Sequence, residues 1–326
     1  MTLRAGVLGL GVMGRNHARV LAGLEGVEFA GVFDPAPNVP ATVHDRPVVG
    51  DLDAFIDLKL DYAVVAAPTV YHLDMATRLA NEGIHALIEK PVASTSEDAT
   101  ALRDLFAEKG LIGGVGHIER YNPALQAART RIEDGLIGDI YQITTRRQGP
   151  FPGRIADVGV IKDLASHDID LTAWVAQQSF VSVNARTTHR SGRPHEDMVV
   201  AVGTLSSGTI TSHTVNWLTP FKERVTIITG EKGVLVADTL TADLTFYING
   251  TIQNTWDQAA SFRGVTEGDV TRFALERKEP LVAEHEAFRD SVLAGSPQGI
   301  VTLAEGTRVV EIAEQMVAEG LNWRLT

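Results

Sequence analysis

The chain has 326 residues, of which 44% are hydrophobic and 21% charged, and its formal net charge is −12. This length and composition predict a globular protein with two domains, and the acidic balance argues against nucleic acid or an anionic membrane as a partner, because both bind clustered lysine and arginine. The absence of cysteine excludes disulfides, cysteine-ligated metal centres and thiolate nucleophiles.

The amino terminus leads directly into a predicted strand, and no apolar segment resembles a signal peptide. No apolar run approaches the ~20 residues needed to span a membrane. We therefore expect a cytoplasmic protein.

The first predicted strand, 3–8, is followed by a glycine-rich turn and a helix. Gly9 permits the tight turn, Gly11 lets the backbone approach a pyrophosphate, and Gly14 lets the helix pack closely on the strand. The free N–H groups of the helix start would then face the anion. The predicted cofactor contacts in this turn are Gly9, Gly11, Val12, Met13 and Gly14.

A second predicted strand, 27–33, ends in Asp34. An acid about 20 residues beyond the last glycine of such a turn binds the ribose hydroxyls of a dinucleotide. Its carboxylate would repel a 2′-phosphate, so the sequence predicts NAD as the cofactor and makes NADP the less favoured alternative.

Alternating strands and helices continue to residue 116 and predict a parallel, doubly wound sheet in a first domain of residues 1–119. The further elements are strands over 62–67, 84–88 and 111–116, with helices over 52–60, 71–82 and about 94–109.

Strand 84–88 ends in Glu89-Lys90-Pro91. Pro91 should stop the strand, and a lysine at the carboxyl end of a strand in an open α/β sheet faces the crevice that binds ligands. The proline also fixes the backbone beside Lys90, and a cis Lys90–Pro91 bond is one way to do so. The alternative is a surface lysine in an ordinary turn.

Residues 120–326 are predicted to form a second, α+β domain with a mostly antiparallel open sheet. Its predicted strands are 140–147, 181–189, 198–205, 209–217, 224–229 and 244–248. A final helix starts at Thr302 with the Thr302–Glu305 spacing of a capping box and is expected to end at Gly320.

In the second domain, Asp163 and His167 have the i,i+4 spacing that would place them on one face of a helix, together with Asp170 and Trp174. His167 could then move a proton while Asp163 orients its ring. An ordinary solvated ion pair and a metal site of one histidine and two carboxylates are the alternatives, although no firm ligand geometry supports the metal.

Arg146, Arg147 and Arg154 precede this segment, and clustered arginine suits bidentate contacts with phosphate. Solvated charge at a strand end is an equally good interpretation.

Three segments resemble the glucose–fructose oxidoreductase/inositol dehydrogenase/MocA (Gfo/Idh/MocA) family: residues 9–17, residues 66–72 and Glu89-Lys90-Pro91. The likeness runs through nearly the whole chain. Residues 116–123 and 163–171 are similar to the branch containing UDP-N-acetylglucosamine 3-dehydrogenases, although Ala165 stands where many relatives have glycine.

The resemblance implies a Rossmann fold, an NAD(P)-dependent dehydrogenase acting on CH–OH groups, and a homodimer or homotetramer. It implies Lys90, Asp163 and His167 as catalytic residues and adds Pro68, Thr69, His72, Glu89 and Lys90 to the cofactor site. The substrate-binding candidates are Arg120, Tyr121, Arg147, Arg154, Asp163 and His167, and no metal site is expected.

The expected reaction is hydride transfer between NAD and a secondary hydroxyl of a sugar or nucleotide sugar, with a UDP-linked N-acetylhexosamine oxidised at its 3-hydroxyl as the specific prediction. A myo-inositol or free-sugar dehydrogenase is the first alternative. A non-catalytic NAD-binding sensor is the second.

Overall fold

The structure, a computed structural model, describes residues 2–153, 158–250 and 266–322. The chain divides into two compact units, Met1–Ile118 with Glu279–Glu314, and Glu119–Lys278 with Gln315–Thr326. The predicted domains, 1–119 and 120–326, differ from these units because residues 279–314 return to the first unit. There the buried ring of Phe288 meets the ring of Tyr62 edge-on, with 5.3 Å between the centroids.

The first unit is built on a seven-stranded sheet. In chain order its elements begin with β1 (Leu3–Leu8), α1 (Val12–Gly23), β2 (Val27–Phe33), β3 (Thr42–Val43), β4 (Arg46–Val49), α2 (Leu52–Ile56), β5 (Tyr62–Val65), α3 (His72–Asn81), β6 (His85–Glu89), α4 (Ser96–Glu108) and β7 (Gly113–Gly116). The strand order is β3-β4-β2-β1-β5-β6-β7, and every pairing except β3–β4 is parallel. The predicted parallel, doubly wound sheet is confirmed.

Alternate residues of the central strands pack on opposite faces of this sheet. In β5, Ala63 and Val65 belong to one buried cluster, while Tyr62 and Val64 belong to the other. A parallel sheet covered on both faces leaves its strand ends as the accessible edge, which is where such folds bind ligands.

The sequence analysis did not predict the short β3–β4 hairpin. Its two-residue turn is His44-Asp45, with φ angles of 50° and 60°. Two-residue hairpin turns with positive φ angles are usually recognised in a sequence by asparagine or glycine, and His-Asp is a weaker indication of such a turn.

The second unit contains an eight-stranded sheet. Its elements are α5 (Pro123–Glu133), β8 (Ile140–Pro150), a π-helical segment (Ile161–Ala165), α6 (Ser166–Ala176), β9 (Phe180–Thr188), β10 (Met198–Leu205), β11 (Ile210–Asn216), β12 (Leu218–Gly230), β13 (Gly233–Asp238), β14 (Asp243–Gly250) and β15 (Thr266–Phe273). The order is β15-β14-β13-β12-β8-β11-β10-β9, and only β8–β11 is parallel. The predicted mostly antiparallel sheet is confirmed, while β13 and β15 were not predicted.

Two helices complete the described chain, α7 (Pro280–Ala294) and α8 (Leu303–Asn322). The predicted capping box is present, because the Thr302 amide donates to Glu305 at 2.8 Å and the Glu305 amide donates to the Thr302 hydroxyl at 3.3 Å. The predicted end at Gly320 is wrong, since α8 continues to Asn322. Gly320 instead lies against Thr187, whose side chain leaves no space for a Cβ. None of the described helices is long and apolar enough to cross a membrane.

Candidate active site

The glycine-rich turn joins β1 to α1 at the carboxyl edge of the parallel sheet. Gly9 has a φ of 95°, and a Cβ there would lie 2.8 Å from the carbonyl oxygen of Ala66. A Cβ on Gly14 would overlap the carbonyl oxygen of Gly9. The tight turn and the close packing of α1 therefore require glycine at both positions.

Gly11 differs from these two glycines. Its φ of −68° suits any residue, and a Cβ there would meet no described atom within 4 Å. Gly11 is also the residue before α1, and no described side chain caps the helix start. The open space and the uncapped N–H groups fit the pyrophosphate of a dinucleotide, which needs close approach to the backbone.

Asp34 lies beside this turn at the end of β2. One carboxylate oxygen accepts from the Leu10 amide at 2.7 Å and the other from the Ala36 amide at 2.9 Å. The side chain is half-buried. Each oxygen retains a lone pair, so the carboxylate can still accept hydrogen bonds from ribose hydroxyls.

Lys90 follows the last residue of β6, and the Lys90–Pro91 peptide bond is cis. The Lys90 side chain is half-buried, while that of Glu89 is buried. One oxygen of Glu89 accepts from the Lys90 amide at 3.1 Å. Burial would raise the pKa of Glu89, but the hydrogen bond from His17 and the charges of His17 and Lys90 outweigh it and lower the pKa.

His72 joins the loops that follow β5 and β6. Its Nδ1 lies 3.0 Å from the Pro91 carbonyl and its Nε2 lies 2.9 Å from the Ala67 carbonyl. Burial lowers the pKa of His72, and a neutral imidazole can donate to only one of these oxygens. The ring thus holds Pro68 and Thr69 next to the Lys90 loop.

The ends of β1, β2, β5 and β6 are neighbours in the sheet, so the predicted cofactor residues meet at one edge. These are Gly9, Gly11, Val12, Met13, Gly14, Asp34, Pro68, Thr69, His72, Glu89 and Lys90.

In the second unit, Asp163 and His167 lie in one helical stretch that is not uniformly α-helical. The Ser166 amide donates to the Ile161 carbonyl five residues earlier, which makes 161–165 a π-helical turn. Asp163 is buried and His167 is half-buried. The prediction of a regular α-helical face was wrong here because the π-turn changes the spacing, and such turns often occur at functional sites.

Glu196 holds the start of this stretch. Its carboxylate accepts from the Ile161 amide at 3.1 Å, and its carbonyl accepts from the Val160 amide at 3.0 Å. A Cβ on Gly159 would overlap the Glu196 carboxylate. The sequence analysis did not single out Glu196, because only the tertiary structure brings it to the helix start.

Two predicted substrate contacts, Arg120 and Arg147, are buried. Arg120 makes two hydrogen bonds to Asp170, at 2.8 and 2.6 Å. Arg147 donates to Asp168 and to Glu119, each at 3.0 Å. These ion pairs indicate a structural role for both guanidinium groups, and their contact with substrate stays a prediction.

The two carboxylates that pair with Arg147 have pKa values shifted in opposite directions. Burial raises the pKa of Asp168 and outweighs the charge of Arg147. Burial would also raise the pKa of Glu119, but the charge and hydrogen bond of Arg147, the hydrogen bond of Thr239 and the charge of Arg224 together lower it. Removing Arg147 would leave buried carboxylates without their cation, which supports its structural role.

The other predicted contacts are distributed differently. Tyr121 is buried, and Arg154 lies outside the described residues. Arg146 is exposed and pairs with Glu223 at 2.8 Å.

Asp170 and Trp174 do share a side of α6, since both meet Arg120. Among the described residues no group of three or more His, Asp or Glu side chains could hold a metal ion.

Arg224 of β12 is a cation that the sequence analysis did not assign. Its Nη1 donates to the carbonyls of Gln148 and Glu223, at 2.6 and 2.7 Å, and the side chain is half-buried. Burial and the charge of Arg147 lower its pKa, against the charges of nearby acids that include Asp163. No described carboxylate forms an ion pair with it, so it retains donors for an anion near Asp163.

Two family models match the chain. A family model described as an oxidoreductase family with an NAD-binding Rossmann fold matches residues 3–117. A model of the GFO/IDH/MocA C-terminal domain matches residues 125–236.

The chain is 30% identical to UDP-N-acetylglucosamine 3-dehydrogenase of Acidithiobacillus ferrooxidans over 318 residues, 96% of each protein. A solved structure of that enzyme superposes with a TM-score of 0.83 at 28% identity and covers 98% of both chains. Inositol 2-dehydrogenase 2 of Saccharopolyspora erythraea is 32% identical over 213 residues, 60% of each protein. The chain therefore belongs to the GFO/IDH/MocA family of oxidoreductases, and its first unit carries the NAD-binding Rossmann fold of that family.

Proposed function

We propose that this protein is an NAD-dependent dehydrogenase that oxidises a secondary hydroxyl of a sugar or nucleotide sugar. The observation that carries the proposal is the meeting of Gly11, Asp34 and Lys90 at one edge of the Rossmann sheet. Gly11 and Asp34 suit a dinucleotide, and Lys90 places a cation beside it. A sensor would need the dinucleotide site but no proton-transfer groups, so Lys90, Asp163 and His167 favour an enzyme.

When bound, NAD supplies the hydride acceptor. His167 would take the proton of the reacting hydroxyl, and Asp163 would orient its ring. The Lys90 ammonium would stabilise negative charge developing on the substrate oxygen.

The cofactor preference can be tested at Asp34. We expect the native protein to bind NAD more tightly than NADP, and Asp34→Ser to shift the ratio of their dissociation constants towards NADP by at least about tenfold, or about 1.4 kcal/mol. NAD binding should also weaken, because the Leu10 amide loses its acceptor. Asp74→Ser is the matched control, because Asp74 is an exposed residue of α3. Tighter NADP binding by the native protein would contradict the assignment.

For the substrate, we propose a UDP-linked N-acetylhexosamine oxidised at its 3-hydroxyl. The support is the similarity to UDP-N-acetylglucosamine 3-dehydrogenase, which covers 96% of the chain, against 60% for the inositol dehydrogenase. The test follows NADH formation with UDP-N-acetylglucosamine, free N-acetylglucosamine and myo-inositol. Reaction with only the free sugar or inositol would replace this assignment by the polyol alternative.

Arg224 is our proposed contact for the substrate diphosphate. Hydrogen bonds to charged groups contribute about 1.5–3 kcal/mol, so Arg224→Gln should raise the KM for UDP-N-acetylglucosamine by roughly 10- to 100-fold. Any activity towards a free sugar should change little. Arg272→Gln is the control, because Arg272 is exposed and pairs with Asp243 on β14. Equal effects on the nucleotide sugar and the free sugar would remove Arg224 from this role.

We also propose a homo-oligomer formed through the outer face of the eight-stranded sheet. Val202, Ile210 and Tyr247 are exposed, and strand register places them on the face opposite buried Val199 and Ala201. An apolar sheet face of this kind suits a second copy of the chain. Light scattering should give a dimer or tetramer for the native protein and a smaller species for Val202→Glu. A native monomer at micromolar concentration would reject the proposal.

A further inference from the structure

Two buried histidines of the first unit, His17 and His285, lie behind Lys90 and have no role in the proposed function. His17 is on α1 and His285 is on α7, and both rings are fully buried. The Nε2 atom of His17 lies 2.8 Å from an oxygen of Glu89, and its Nδ1 atom lies 2.8 Å from Nε2 of His285. The three side chains form one continuous hydrogen-bonded chain.

The Glu89 carboxylate is held on both sides. One oxygen meets His17, and the other accepts from the backbone amide of Lys90 at 3.1 Å. A Cβ on Gly116 of β7 would lie only 3.2 Å from the carboxylate, so glycine at this position leaves the carboxylate the space that it occupies. Any loss of the His17 contact would therefore leave a buried charge without its main partner.

The protonation states follow from these contacts. The pKa of Glu89 is lowered, so it is ionised and can only accept hydrogen bonds. His17 must then carry a hydrogen on Nε2. Burial, with the charge of His17, holds the pKa of His285 well below its usual range, so His285 stays neutral and one hydrogen is shared with Nδ1 of His17.

We propose that His17 and His285 are positioning residues, which hold the Glu89 carboxylate against the Lys90 backbone and thereby fix the lysine relative to the dinucleotide turn. The link to the turn is direct, because α1, which carries His17, begins at Val12 within the glycine-rich motif. This inference rests on the proposed catalytic role of Lys90. It assigns no contact with substrate to either histidine.

The decisive variants are His17→Leu and His17→Gln. Leucine removes the donor to Glu89, whereas the glutamine amide can replace Nε2 of the imidazole. The titratable groups around the carboxylate are His17 of α1, His285 of α7, His72 of α3 and Lys90. Burial lowers the pKa of His72, and the charge of Glu89 only partly offsets that effect. Loss of the hydrogen bond should release the Glu89 carboxylate from the orientation in which it accepts from the Lys90 amide.

The readout is the rate at which acetic anhydride acetylates the Lys90 amine at one fixed pH, relative to that of exposed Lys109, followed by mass spectrometry in the full-length protein without substrate. In His17→Leu we expect this relative rate to rise, because a lysine that is no longer held in one position is more accessible to the reagent. His17→Gln should remain close to the native rate, and His285→Leu should raise it less. His285→Leu also provides the test if His17→Leu does not fold.

Turnover gives the second readout. With UDP-N-acetylglucosamine, His17→Leu should lower kcat by up to about 100-fold, the cost of misplacing a reacting group by about 1 Å, and His17→Gln should restore most of it. The dissociation constant of NAD should change little. His213→Gln is the matched control, since His213 is equally buried, bonds Thr145 at 2.8 Å and lies in the second unit.

An unchanged relative acetylation rate of Lys90 in folded His17→Leu and His285→Leu would overturn the inference. So would an equal rise of this rate in His213→Gln, because the effect would then be general destabilisation. If Lys90→Ala keeps native turnover, the proposed function fails instead. The two failures are therefore distinguished by separate measurements.

Discussion

Replacing Lys90 with alanine is expected to lower turnover by about 10²- to 10⁴-fold, and His167→Ala should have an effect of the same order. The reason is that one change removes the cation proposed to stabilise the developing charge and the other removes the proposed proton acceptor. Initial rates of NADH formation with UDP-N-acetylglucosamine measure both variants. The dissociation constant of NAD should change far less than kcat for His167→Ala.

Lys109→Ala serves as the control, because Lys109 is an exposed lysine of the same unit at the end of α4. Thermal unfolding of each variant separates lost chemistry from lost folding. Turnover near the native value in a folded Lys90 or His167 variant would exclude that residue from the mechanism.

Gly11 and Gly14 provide the second large prediction, since they separate ligand binding from folding. Gly11→Ala should unfold like the native protein, because the added methyl meets no described atom within 4 Å. It should nevertheless weaken NAD binding by at least about tenfold, or about 1.4 kcal/mol, since the methyl would occupy the space needed by the pyrophosphate.

Gly14→Ala should lose both properties. Its methyl would overlap the Gly9 carbonyl, so α1 must move away from the turn, and overpacking of this kind typically costs about 1–3 kcal/mol of stability. Urea unfolding and calorimetric titration with NAD measure the two quantities. Unchanged NAD affinity in Gly11→Ala would show that the cofactor does not approach this glycine.

The dinucleotide turn was predictable because all its requirements are local. Gly9, Gly11 and Gly14 lie within six residues, and β1 and α1 on either side show the expected periodicity. Asp34 was found by its distance along the chain. Its contact with the Leu10 amide follows from the parallel pairing of β1 with β2, which the alternation of strands and helices already implied.

The arginines show the limit of such local reasoning. Arg146 and Arg147 are adjacent in sequence and look equivalent as phosphate ligands. Alternation along β8 sends one side chain to the exposed face and the other into buried ion pairs with Asp168 and Glu119. Arg224, in contrast, gave no signal in the sequence, because its relation to Asp163 depends on β12 pairing with β8.

By itself, the sequence determined the fold class, the dinucleotide turn, the acid at Asp34 and the strand-end lysine, since each depends on short-range patterns of glycine, charge and hydrophobicity. Only the tertiary structure decided which polar groups support them. His17, Glu89 and His285 come from three separated parts of the chain and meet only when α1 and α7 pack on the sheet. Buried polar groups need hydrogen-bond partners, and here the partners are far apart along the chain. The spacing of residues in the sequence therefore does not indicate which of them pair.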